Sequence, residues 1–133
     1  MGYIATVGDF SYKVDVGSAK FYSSINSGYN KKTANGVYLA FILNYCNNGK
    51  KEVLLDNTMF KLIDDSNNEY SISVDGTIAM QMQYKDEIFK RQCHPQIPMF
   101  GALVFEVPEM KSYNLKLIES YFSGNTGIIR INP

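Results

Sequence analysis

The chain has no tryptophan, one histidine and two cysteines in 133 residues, and its 13 basic and 13 acidic side chains cancel. Each shortage excludes something. Two cysteines far apart, Cys46 and Cys93, cannot staple a disulfide-rich scaffold or furnish a multi-thiolate zinc site. Zero net charge leaves no concentrated basic surface for a nucleic acid, since basic residues cluster only in pairs such as Lys31-Lys32, Lys50-Lys51 and Lys90-Arg91. No apolar run approaches the length of about eighteen residues that a transmembrane helix needs. Met1-Gly2-Tyr3-Ile4 is not a basic segment leading into an apolar one, so no signal peptide is legible. Two localisations stay open: extracellular or cell-surface anchored, with the export signal outside this sequence, or cytoplasmic. With no repeat, low-complexity tract or linker, a single domain over 1–133 is expected. A chain this long buries roughly two thirds of its unfolded surface without a staple.

What is present is aromatic and alternating. Ten tyrosines and eight phenylalanines suit strands. Along 37–47, Val37, Leu39, Phe41, Leu43 and Tyr45 recur every second residue, the period of a strand with one face in a core. The intervening Tyr38, Ala40, Ile42, Asn44 and Cys46 are mixed, which predicts a second face only partly covered. Asn35-Gly36 and Asn47-Asn48-Gly49 punctuate the ends with residues that tolerate left-handed backbone. Similar runs occupy 10–16, 20–25, 59–63, 70–74, 102–107, 113–117 and 129–131. The segment 64–68 reads as a hairpin turn, Asp75-Gly76 as another turn, and 23–36 as a long exposed loop. The segment 78–89 reads as extended with room for one helical turn. About eight short strands and no long helix predict an all-β, immunoglobulin-like two-sheet antiparallel β-sandwich, with a closed barrel as the rival. The expected core is Val14, Leu39, Phe41, Leu43, Phe60, Leu62, Leu103, Phe105 and Leu115.

Three stretches carry a family likeness: NGVYLAFILNYCNNGK at 35–50, FKLIDDSNNEY at 60–70, and GALVFEVPE at 101–109 followed by Tyr113-Asn114-Leu115. Their order and spacing resemble the telokin-like, immunoglobulin-like domain of unknown function found in lipoproteins, secreted proteins and phages, mostly of Gram-positive bacteria. The resemblance implies a non-enzymatic binding or structural module of an exported bacterial protein, and it transfers no catalytic residue. A cytosolic phage or host protein acting on a protein partner is an alternative. The segment 93–100, Cys-His-Pro-Gln-Ile-Pro-Met-Phe, departs from the family pattern and is more apolar than a bare loop requires.

No residue set suggests an active site. Cys93 and His94 are adjacent, and on a strand adjacent side chains face opposite ways, which opposes a nucleophile–base contact. Asp64, Asp65, Asn67 and Glu69 lack the glycine and spacing of a calcium loop, so a turn is expected there; Asp86-Glu87 is a second carboxylate pair. Met80, Met82, Cys93, His94 and Met99 include the soft ligand types that suit Cu(I), the sharpest alternative to no metal and no cofactor; the competing expectation is that the methionines fill a core. Cys46 and Cys93 are expected to be free thiols, with a bridge between neighbouring strands as the alternative. Binding, if it occurs, is expected through the loops 23–36 and 93–100, with Tyr29, Asn30, Lys31, His94 and Phe100 as candidate contacts to another protein.

Overall fold

The computed structural model describes residues 4–15, 17–25, 32–77, 80, 92–119 and 124–133. The described strands are β1 (Ile4–Val7), β2 (Phe10–Val14), β3 (Lys20–Ile25), β4 (Lys32–Asn47), β5 (Val53–Leu54), β6 (Phe60–Ile63), β7 (Glu69–Ser71), β8 (Gln92–Cys93), β9 (Pro98–Val107), β10 (Tyr113–Ile118) and β11 (Thr126–Ile131).

The long strand β4 organises the larger sheet. On one edge it pairs with β9 along most of its length, from Val37↔Val107 to Cys46↔Pro98. Its other edge is shared end to end: β2 pairs with 43–47 and β3 with 32–40. Ser18 repairs the interruption between β2 and β3, because its Oγ accepts the Ile42 N–H at 3.0 Å and donates to the Asp15 carbonyl at 2.9 Å. β1 extends this five-stranded sheet through pairing with β2. The hairpin between them turns on Gly8, whose φ of +58° suits glycine. The second sheet runs β11-β10-β6-β7, and β5 pairs with β8 in a small ribbon. All pairings are antiparallel.

The two sheets meet on their alternating apolar faces. All nine residues expected in the core are buried in one cluster, joined by Phe10, Tyr12, Tyr45, Val107, Tyr113, Leu117, Ile129 and Ile131. Phe41 and Phe105 stack at 6.0 Å and Tyr12 meets Phe60 edge-on at 5.9 Å. Tyr113 pins the connection from β9 to β10: its hydroxyl donates to the Pro108 carbonyl and accepts the Met110 N–H at 2.8 Å. This is the corner geometry of immunoglobulin-like sandwiches.

Several expectations are corrected. β4 begins at Lys32 and β9 at Pro98, so part of each expected loop, 23–36 and 93–100, is strand. β4 starts early because 32–33 pair with the end of β3, and β9 starts early because 98–101 pair with 43–46 of β4, since ladder hydrogen bonds need no particular side chain. β3 reaches Ile25, leaving 26–31 of the expected loop 23–36 outside the described residues. Val74 is not an inward strand residue. The backbone turns helical at 74–77 and Val74 is 56% exposed. The Ser73 Oγ accepts the Gly76 N–H at 3.0 Å and drives that turn. Apart from Met80, the segment 78–89 lies outside the described residues.

Candidate functional site: the outer face of the five-stranded sheet

Side chains that alternate away from the core form a second surface. β4 contributes Tyr38, Ala40, Ile42, Asn44 and Cys46, opposite Glu106, Val104, Ala102, Phe100 and Pro98 of β9. The middle of this face is covered. Tyr38, Ala40, Ala102 and Val104 are buried with Ile25 and Met80 in a cluster separate from the main core. The face is therefore more fully covered at its centre than the sequence pattern predicts, and it opens at its two ends.

At one end Phe100 stands 56% exposed beside Ile97 at 52%. Phe100 is shared by two grooves. One, of about 290 Å³, is lined by Ile4, Lys13, Asn44, Cys46 and Pro98. The other, of about 480 Å³, is lined by Lys20, Tyr22, Ile42, Met80 and Ala102. The backbone that presents these residues is fixed from the interior. Asn47 is buried and its amide Nδ2 donates to the Lys51 carbonyl at 2.7 Å and the Cys93 carbonyl at 2.9 Å, while its Oδ1 accepts the Gly49 N–H at 2.9 Å. Its carbonyl accepts the Gln96 N–H at 2.7 Å, and Gln96 holds a φ of +65°. At the other end lies a cavity of about 520 Å³ whose lining includes Asn35, Tyr38, Ser71, Ser73, Asp75 and Glu106.

The expected site residues are not gathered into one place. Phe100 lies on the outer face. His94 sits in the turn before β9, with Nδ1 2.8 Å from Glu52 Oε1 and both side chains more than half exposed. Tyr29, Asn30 and Lys31 lie outside the described residues, as do Met82, Asp86 and Glu87. Cys93, read from sequence as a loop residue, is in β8 opposite Val53 and is buried in the main core. A nucleophile turned inward beside an exposed His94 does not make a catalytic pair. The Cu(I) set is not brought together either. Met80 belongs to the outer-face cluster and Met99, opposite Tyr45, to the core on the other side of the sheet. Cys46 and Cys93 are not joined in a disulfide, and the Cys46 Sγ lies 3.4 Å from Asn48 Oδ1. Among the described residues no group of three His, Cys, Asp or Glu side chains is placed to hold a metal ion.

Asp64 shows what occupies the expected turn carboxylates. Its oxygens accept the N–H groups of Ser66 and Asn68, each at 2.9 Å, and the Asn68 amide and Tyr70 hydroxyl, each at 3.0 Å. Asp65 pairs with Arg130 at 3.1 Å. These contacts satisfy the carboxylates as turn and sheet partners rather than as calcium ligands. The Asn68 side chain, foremost among the donors, holds the Asp64 pKa below its ordinary value against the opposing effect of burial. A depressed folded pKa contributes stability that is present above the unfolded value, about 3.9, and is lost as pH falls through the folded value. The stability deficit of Asp64→Asn against the native chain, followed by urea midpoints, is therefore expected to be full near about pH 7 and to shrink below about pH 4. A deficit that does not change with pH would contradict this.

Against known proteins, the family model described as "Domain of unknown function (DUF4352)" matches residues 1–128. No curated protein matches the sequence. Among solved structures, the chain is similar to a candidate lipoprotein, ycdA, from Bacillus subtilis, with a TM-score of 0.68 and 17% identity, covering 99% of this chain and 39% of that one. It thus spans well under half of that protein's length. An uncharacterized β-sandwich protein from Clostridium difficile gives a TM-score of 0.56 at 14% identity, covering 99% of this chain and 91% of that one. The secreted protein MPT63 of Mycobacterium tuberculosis gives 0.60 at 12% identity, covering 96% and 91%. These likenesses establish the fold: antiparallel sheets packed as a β-sandwich, as the sequence predicts. With the family model spanning nearly its whole length, the chain belongs to the DUF4352 family of domains of unknown function.

Proposed function

We propose that this chain is a non-enzymatic binding module of an exported bacterial protein, acting outside the cell, and that it holds a protein partner on the open end of the outer face around Phe100. The observation that carries the reading is the exposure of Phe100 and Ile97 beside apolar grooves on backbone pinned by Asn47 and Gln96. Exposing a large aromatic side chain on a rigid sheet contributes little to folding, whereas such residues dominate the energetics of interfaces. A preorganised surface also loses little entropy on binding. His94 sits in the turn before β9, toward this end, and Tyr29, Asn30 and Lys31 are proposed as a separate contact, because in sequence they lie between Ile25 and Lys32, which pair at the other end of β4. Export is supported by the likeness to a candidate lipoprotein and a secreted protein.

The test is retention of envelope or culture-medium proteins from a Gram-positive bacterium by the immobilised chain and by Phe100→Ala. Because Phe100 is largely solvated, the substitution is expected to change stability by less than about 0.5 kcal/mol, while a specifically retained protein is lost or weakened at least about tenfold. Equal retention by both chains would remove Phe100 from the binding surface.

A further inference from the structure

We propose that the cavity at the Tyr38–Glu106 end of the outer face binds an organic cation, an alkylammonium or guanidinium group. Two carboxylates, Asp75 and Glu106, line it with the Ser71 and Ser73 hydroxyls, and no basic side chain is among the described lining residues. Neither carboxylate has a salt-bridge partner among the described residues. Glu106 is held in place because its Oε2 accepts the Asn35 N–H at 2.6 Å. Asp75 is carried on the helical turn at 74–77, which is anchored by the Ser73 N–H donating to the Val104 carbonyl at 2.8 Å. The turn can sit this close only because residue 76 is glycine: a Cβ there would lie 2.8 Å from Val104 Cγ1 and 3.1 Å from the Tyr38 ring.

Tyr38 supplies the independent observation. It is only 3% exposed, lines the cavity, and its hydroxyl makes no hydrogen bond among the described residues. Asp75 and Glu106 line the same cavity as Tyr38, and burial, then the charges of Glu106 and Asp75, push the tyrosine pKa above its ordinary value. The hydroxyl itself is not fully buried, so it faces solvent in the cavity and stays available to a ligand. An ammonium brings three donors and a guanidinium five, which match an acceptor-rich pocket of two carboxylates and a phenol oxygen. Calcium is a poorer fit, since it asks for six to eight oxygens and the described residues offer no trio of acidic side chains. The cation can come from a free amine or from a lysine or arginine side chain of a protein. This site is independent of the Phe100 reading, so either can fail alone.

The experiment is a ¹H–¹⁵N titration of the full chain with n-butylammonium, n-butylguanidinium, or an N-acetylated, C-amidated Gly-Lys-Gly peptide. Sodium chloride at equal ionic strength is the reference. Saturable shifts are expected at the amides of residues 35, 38, 71–76 and 106. Asp75→Asn and Glu106→Gln, the latter keeping an acceptor for the Asn35 N–H, should each weaken binding about tenfold or more, and Phe100→Ala should leave it unchanged. Tighter binding of the peptide than of the free amines would assign the cation to a protein side chain; equal affinity would assign it to a small amine. Shifts that only follow ionic strength, affinities unaffected by both variants, or calcium chloride saturating the same amides at lower concentration than the ammonium would overturn the proposal. If one variant fails to fold, the other decides.

Discussion

Asn47→Ala is expected to destabilise the protein by about 3 kcal/mol and to lower its Tm by roughly 10 °C. The substitution strips hydrogen bonds from the Lys51 and Cys93 carbonyls and the Gly49 N–H, in a place that is only 1% exposed. Each buried backbone group left without a partner costs about 1–3 kcal/mol, offset in part where the turn can loosen to admit water. Asn47→Asp should do no better, because a carboxylate cannot donate to the two carbonyls. The neighbouring Asn48 is exposed, and its side chain makes only exposed contacts, Nδ2 to the Ser11 hydroxyl at 3.2 Å and Oδ1 to the Cys46 thiol at 3.4 Å, so Asn48→Ala should cost less than about 1 kcal/mol. Urea unfolding of the three variants checks this, and equal losses at 47 and 48 would contradict it.

Phe105→Ala is expected to cost about 4 kcal/mol. Phe105 has no exposed surface, stacks on Phe41 at 6.0 Å, pairs with Leu39 across the ladder, and forms the bridge to Ile72 that ties the β7 segment to β9. Deleting the ring removes contacts to both sheets at once, and the neighbouring ladder restrains collapse of the cavity. Phe105→Leu should recover most of the loss by filling volume. Ile128→Ala, at a position 50% exposed, should stay within about 0.5 kcal/mol. A loss at 105 no larger than at 128 would place Phe105 outside the core.

The fold was legible where the two-residue period was clean. Leu39, Phe41 and Leu43, or Phe60 and Leu62, alternate because one face of each strand is buried, and hydrophobicity records burial directly. β1, with one buried residue in four, and the two-residue strands β5 and β8 leave no such record. The 64–68 turn was legible because Asp and Asn bond to nearby backbone. Asn47 was legible only as a turn residue: its bond to the Cys93 carbonyl spans 46 positions, and no local pattern encodes that. Phe100 stood out as an apolar residue in a segment that departs from the family pattern. The polar cavity was not legible at all. It joins Asn35, Asp75 and Glu106 through the register of β4 with β9 and the helical turn at 74–77, and pairing partners are a property of topology.

The absence of native tryptophan provides the most direct measurement of the binding surface. Phe100→Trp places a single indole on the outer face, in a chain with no other to obscure its emission. In the isolated protein it is expected to emit as a solvated indole and to be quenched freely by acrylamide. With a retained partner bound, its emission should shift to the blue and its quenching should fall. An indole at this position that is already shielded in the isolated chain, or whose emission and quenching are unchanged by the bound partner, would contradict the assignment of this face as the binding surface.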